Sequence, residues 1–272
     1  MTFGVPHITL NDRYTRGLKA LQDVEDVETP SILTNLADLA PDLARFTIEF
    51  GYGDIFDRPG LGRPERQLAT LGALAAMGNA APQLKFHTRG ALNVGCTPTQ
   101  IVEALMHVCL YAGFPATLNA LAIAKDVFSE RGVTPDLARR TKNQQSRYDR
   151  GWEVLSEVDG EAGHGVVNSL EAIAPDLGRY LIEFAFGDIY SRAGLDLRLR
   201  EVVTIAACTA LGTVTPQLKV HVHGFLNVGG TQAELIEIIT QMAVYAGFPA
   251  ALNALAAVRE VLTERAEREH QA

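Results

Sequence analysis

Apolar residues recur at helical spacing through almost the whole chain. Leu18, Leu21 and Val24 punctuate a charged stretch over 11–26, which predicts a surface helix capped at Asn11 or Asp12. A second helix is expected from Ser31, interrupted at Pro41, then resumed by Leu43, Phe46, Ile48 and Phe50 to about Tyr52. Residues 53–66 (GDIFDRPGLGRPER) hold enough Gly and Pro to predict a loop. Pro64 suits the first turn of a helix over 64–78 that Gly78 ends, and Pro82 opens another to about 94, closed by Gly95. Thr97 caps a helix that runs to Tyr111 and stops at Gly113, and Pro115 opens the last one, to about Arg131. Strand signals are nearly absent: VVTI at 202–205 lies inside a helical pattern. The pattern predicts an all-α protein.

The same pattern then repeats. Gly53-Asp54-Ile55 returns as Gly187-Asp188-Ile189, and GALNVGCT at 90–97 returns as GFLNVGGT at 224–231, an offset of 224 − 90 = 134. Aligning 51–130 with 185–264 without a gap gives 36 identities in 80 positions, which marks an internal duplication. The period is far longer than a solenoid repeat, so each copy reads as a domain, 1–134 and 135–272, with the boundary in 132–139. The second copy should rebuild the helix scheme from about 140 to 268, with Thr231 and Glu234 forming a capping box. Residues 156–166 read as a loop, and the charged tail after Glu264 is expected to fray. A gapless offset also predicts that the two domains pack about a pseudo-twofold axis.

A net charge of −8 disfavours a nucleic-acid binder. Cys96, Cys109 and Cys208 are odd in number and unpaired in spacing, which suits a reducing cytoplasm. The N-terminus lacks a basic region followed by an apolar core, and no apolar run reaches the ~20 residues of a membrane span.

His87 and His221, each in P-Q-L-K-x-H, are candidate acid/bases, with a core histidine bonded to a backbone carbonyl as the alternative. Glu103, His107 and Tyr111 make an i, i+4, i+8 polar stripe on an apolar helix, matched by Glu237, Gln241 and Tyr245. Such a stripe must be hydrogen-bonded if buried, and only the first copy offers a histidine in it. Arg58, Arg63 and Arg66 cluster near a helix N-terminus and could hold carboxylates, or pair with Asp54, Asp57 and Glu65 at the surface. The second copy keeps Arg192 and Arg200, gains Glu201, and lacks the counterparts of Arg63, Arg89 and His107. His221 and His223 are two residues apart, a poor metal pair on a helix, and no metal spacing or nucleophile elbow is present.

The runs GDIFDRPGLGRPERQLATL, HTRGALNVGCT and VEALMHVCLYAGFPATLNAL resemble the carboxymuconolactone decarboxylase family, which also contains the AhpD-type alkylhydroperoxidases. The resemblance covers about 50–130 and, more loosely, 184–264. It implies two AhpD-like helical domains, a trimer of fused chains forming a pseudo-hexamer, and cofactor-free loss of CO2 from a carboxylated unsaturated lactone in aromatic catabolism. In that scheme Arg58 and Arg66, with Arg63, Arg89, Arg192 and Arg200, hold substrate oxygens, and His87, aided by His107 and Glu103, delivers the proton. The first copy, which keeps more of the pattern, is expected to carry the reaction. A site shared between copies, completed by Glu201 and His221, is the competing expectation. A non-catalytic scaffold or small-molecule binder is the alternative class, and convergence of His87 and Arg58 on one closed pocket would argue against it. A thiol peroxidase is disfavoured because Ala80 and Gln83, and Val214 and Gln217, stand where its paired cysteines belong.

Overall fold

The computed structural model describes residues 10–136 and 145–271, and among these every regular element is a helix. The first repeat runs through α1 (Leu10–Glu25), α2 (Ser31–Asn35), α3 (Pro41–Phe46), α4 (Arg63–Met77), α5 (Ala81–Asn93), α6 (Pro98–His107) and α7 (Cys109–Arg131). The second runs through α8 (Arg147–Val158), α9 (Gly160–Leu170), α10 (Pro175–Tyr180), α11 (Leu197–Leu211), α12 (Thr215–Asn227), α13 (Gln232–Tyr245) and α14 (Phe248–Gln271). The boundary proposed at 132–139 lies partly outside the described residues. Thr97 and Thr231 both close capping boxes, with Gln100 and Glu234, and Gly113 breaks the backbone of α7 at φ 79.

The expected loop at 53–66 is mostly helix. A π-helix, Thr47–Phe56, follows α3 directly, and its counterpart Leu181–Tyr190 follows α10, so only 57–62 remain irregular. The reason lies in α1. A Cβ at Gly17 would sit 2.0 Å from the Ile48 carbonyl oxygen, and one at Gly53 2.4 Å from that of Arg13. Two glycines thus let α1 and the π-helix touch backbone to backbone, and the Arg13–Asp54 ion pair ties them. Gly151, Gly187, Arg147 and Asp188 reproduce the arrangement. Extended π-helix is rare and tends to accompany functional sites.

Two further expectations fail. Residues 156–166 are helical on both sides of Asp159, because Gly160 takes the left-handed turn (φ 52) that joins α8 to α9. The tail beyond Glu264 stays helical to Gln271, where Arg265 donates to Asn227 Oδ1 at 3.0 Å.

The repeats share one core. Leu61, Ala69 and Ala73 of the first pack within the second repeat's apolar cluster, while Leu195, Val203 and Ala207 of the second enter the first's. α4 and α11 approach closely at Gly72, where a Cβ would lie 2.9 Å from Val203 Cγ1. α5 packs against α4, α7 and α1, and α12 packs against α11, α14 and α8, so equivalent helices have equivalent neighbours.

Candidate active site

Each polar stripe crosses to the other repeat. α13 lies on α4, and α6 lies on α11. Glu237 therefore receives Arg58 (2.7 Å) and the fully buried Arg66 (2.8 Å). Symmetrically, Glu103 receives Arg192 (2.7 Å) and the fully buried Arg200 (2.9 Å). The two arginines outweigh the upward push of burial and lower the proton affinity of Glu237. Gln241 accepts from Arg66 Nη1 at 3.2 Å and donates to Thr70 Oγ1 at 2.9 Å. His107 instead bonds Thr204 at 2.9 Å, and burial, with Arg200 and His221 nearby, holds it neutral. These stripes end on Tyr245 and Tyr111, whose hydroxyls reach His87 and His221 across the repeat boundary.

The second repeat's centre is ionic. His221 Nδ1–H donates to Glu201 Oε2 at 3.1 Å, with Asp159 Oδ1 at 3.8 Å, while Nε2 faces the Tyr111 hydroxyl at 3.3 Å. Tyr190 donates to the other Glu201 oxygen at 2.5 Å and bonds the Tyr111 hydroxyl at 2.9 Å. Burial alone would lower the proton affinity of His221, but Glu201 and Asp159 override it and raise its pKa to about 9. Burial raises Asp159 to about 7, against the pull of His221. At neutral pH the imidazole is thus a proton-loaded cation, 8% exposed.

The first repeat builds the same scaffold with an amide, not a carboxylate, against its histidine. Gln67 replaces Glu201, Phe56 replaces Tyr190, and Glu25 stands at the Asp159 position. His87 Nδ1–H donates to Gln67 Oε1 at 2.9 Å, which leaves Nε2 to accept from Tyr245 at 3.3 Å. With no opposing charge against it, burial lowers His87 to about 3. His87 lines a cavity of about 400 Å³ between α1, α2, the π-helix, α5 and α13.

The sequence-derived grouping around His87 is therefore redistributed. His107 and Glu103 belong to the other repeat's surroundings, because α6 faces α11. Arg58 and Arg66 do not line the His87 cavity; Glu237 holds both, so His87 and Arg58 do not converge. Arg63 pairs with Asp23 at 2.5 Å and Arg89 with Glu130 at 2.6 Å, while Arg192 and Arg200 share Glu103. Glu201 and His221 do meet. Sequence reasoning missed Asp159 and Tyr190. The signal available was the set of exchanges at the 134-residue offset, Gln67 to Glu201 and Phe56 to Tyr190, which add polar groups to one face of one repeat. The cysteines offer no redox site: all three are buried and free, and burial pushes Cys96 and Cys208 up to about 12.

The model of the carboxymuconolactone decarboxylase family matches residues 41–126 and again 175–260. The chain belongs to the carboxymuconolactone decarboxylase family. It is 35% identical over 130 residues to the 4-carboxymuconolactone decarboxylase of Acinetobacter baylyi, a match that spans 47% of this chain and 96% of that protein. It is 31% identical over 118 residues to nitrosuccinic acid decarboxylase npaB of Metarhizium robertsii, covering 43% of this chain and 82% of that one. A solved structure described as a gamma-carboxymuconolactone decarboxylase subunit from Burkholderia xenovorans superposes with a TM-score of 0.58 at 21% identity, over 93% of this chain and 98% of that one, which establishes the shared fold. This family member thus carries in one chain two units, each about the length of the Acinetobacter relative. No helix among its described residues is long and apolar enough to cross a membrane.

Proposed function

We propose that the protein is a cofactor-free decarboxylase of a small unsaturated acid, a carboxylated lactone in the first instance, and that His221 in the second repeat is its proton donor. The observation that carries this reading is the His221–Glu201–Asp159 cluster, a buried imidazolium roofed by the Tyr111 hydroxyl of the other repeat. Both named relatives support loss of CO2. The C–CO2 bond breaks, its electron pair delocalises onto a carbonyl (or nitro) oxygen, and a proton moves from His221 Nε2 to carbon. Solvent then returns one proton to the imidazole. The Tyr111 hydroxyl, beside His221 Nε2, is placed to hydrogen-bond the oxyanion, while Tyr190 spends its proton on Glu201 and orients that carboxylate. Arg192 and Arg200 hold Glu103 and shape the wall instead of binding substrate.

The test is incubation with 4-carboxymuconolactone and with nitrosuccinate in D2O, following CO2 release and deuterium at the decarboxylated carbon. CO2 release that His221→Gln abolishes supports the assignment. Release from neither acid, or release untouched by His221→Gln, overturns it.

The assembly proposed is a trimer. Leu39, Leu43, Phe46, Phe248 and Leu252 are each at least half exposed, as are their counterparts Ile173, Leu177, Tyr180, Phe114 and Leu118. The Phe50–Phe248 and Phe114–Phe184 ring pairs, 5.7 and 5.8 Å apart, show that each patch joins elements of both repeats. Exposed apolar patches of this kind mark association surfaces, and two per chain permit ring closure. Sedimentation should give 3 × 29.4 = 88.2 kDa, and a 29.4 kDa monomer at micromolar concentration would refute the trimer.

A further inference from the structure

The two centres differ in a way that a second copy of one active site would not require. The first repeat has a substrate-sized cavity, about 400 Å³, within the ordinary range for small-molecule pockets. Tyr52, Phe56, Phe86 and Tyr245 give it aromatic walls, and Leu21, Ile32 and Val244 add aliphatic surface. Its one charged lining residue is Glu25, whose carboxylate accepts the Ser31 N–H at 3.1 Å. The arginines of this repeat that the resemblance assigned to substrate are committed elsewhere: Arg58 and Arg66 to Glu237, Arg63 to Asp23, Arg89 to Glu130. Gln67, standing where Glu201 stands in the other repeat, gives His87 no counter-charge with which to stay protonated. A carboxylate entering here would meet an existing anion and no cation; Ser31, Asn35, Thr47 and Gln83 line the cavity as polar groups without charge, so its own charge would go unbalanced, a costly transfer. An uncharged ring meets none of that cost. The Phe56 and Tyr245 rings both pack on His87, at 6.4 and 5.3 Å, so the lining around it offers aromatic surface to a ring compound. The Tyr245 hydroxyl, 3.3 Å from His87 Nε2 and hydrogen-bonded to Thr70, is a neutral polar group at the inner end of the cavity.

We propose that the first-repeat cavity binds an uncharged, unsaturated ring compound of the lactone class and holds it without chemical change. The inference rests on the assignment of proton transfer to His221, and it makes the duplicated chain a reaction centre joined to a ligand-binding one.

The experiment is calorimetry on the full chain with coumarin, an uncharged unsaturated lactone, and coumarin-3-carboxylate, the same ring bearing an acid. Wild type is compared with Gly51→Leu and Val244→Phe. A Cβ at Gly51 would lie 3.9 Å from Thr47 and Val244, ordinary contact, so the backbone accepts a side chain that fills the cavity. Coumarin should bind once per chain, and either substitution should weaken it at least tenfold with the circular dichroism spectrum unchanged. The component of binding lost on substitution should be at least tenfold weaker for the carboxylate at pH 7.5. Absence of coumarin binding, binding indifferent to both substitutions, or a cavity-dependent acid affinity equal to that of coumarin would each overturn the proposal. Should both variants misfold, wild-type NMR decides: coumarin must shift the His87 imidazole signals, and unshifted signals overturn the proposal. None of these readouts requires turnover, so a protein that binds coumarin but releases no CO2 would sink the decarboxylase reading alone.

Discussion

Glu201→Gln gives His221 the amide that Gln67 gives His87, so the first repeat serves as a reference for the second. His87, facing Gln67, has its pKa lowered to about 3, whereas His221, facing Glu201 and Asp159, is raised to about 9. Removing the Glu201 charge leaves burial opposed only by the more distant Asp159, so His221 should fall to or below its ordinary 6.5. A drop from about 9 to 6.5 corresponds to on the order of 3 kcal/mol of lost preference for the imidazolium. At pH 7.5 the variant would be mostly deprotonated. With about one imidazole in ten still protonated at a pKa of 6.5, kcat should fall about tenfold at pH 7.5, and further the lower the pKa drops. The sign for stability follows from the same shift. A histidine whose folded pKa is raised contributes stability that is complete below pH 6.5 and disappears as pH rises through about 9. Wild type should therefore lose stability across that window, and the variant should lose less. Imidazole NMR titration from pH 5 to 10 measures the shift without any substrate, urea unfolding at pH 6 and 9 measures the linkage, and kcat against pH locates the alkaline limb. A variant whose His221 still titrates near 9, or whose alkaline limb stays in place, refutes the reasoning.

Three other perturbations follow from the geometry. His221→Ala should reduce kcat more than His87→Ala does, the reverse of what the fuller first-repeat motif suggests; steady-state kinetics on both folded variants decides, and a greater loss at His87 would return the reaction to the first repeat. Glu237→Ala strands the buried Arg66 without a counter-charge and should cost about 3–5 kcal/mol in chemical denaturation, with under 1 kcal/mol contradicting the cross-repeat network. Gly151→Ala places a Cβ 2.0 Å from the Ile182 carbonyl oxygen, so α8 must move off the π-helix; a loss of about 1–3 kcal/mol or more is expected, and an unchanged melting temperature would disprove the close crossing.

The helices, their caps and the duplication were legible in the sequence because they are local or periodic. Pro64, Pro82 and Thr97 mark starts, Gly78 marks an end, and a 134-residue offset needs no coordinates. His87 and His221 were also legible as candidates, being the histidines that both copies place at one position. The π-helices were not: each lies where Gly17 or Gly151 lets another helix touch it backbone to backbone, and no local pattern announces a neighbour. Nor could the sequence assign partners. The spacing of Glu103, His107 and Tyr111 fixes one face of one helix, but which repeat that face meets depends on how α4 and α11 pack. Only tertiary structure carried the stripe to the far repeat, consumed the arginines in ion pairs, and put Glu201 and Asp159 against His221 while His87 received an amide. Proton affinity depends on the charges within a few ångströms, and those distances are properties of the packed core.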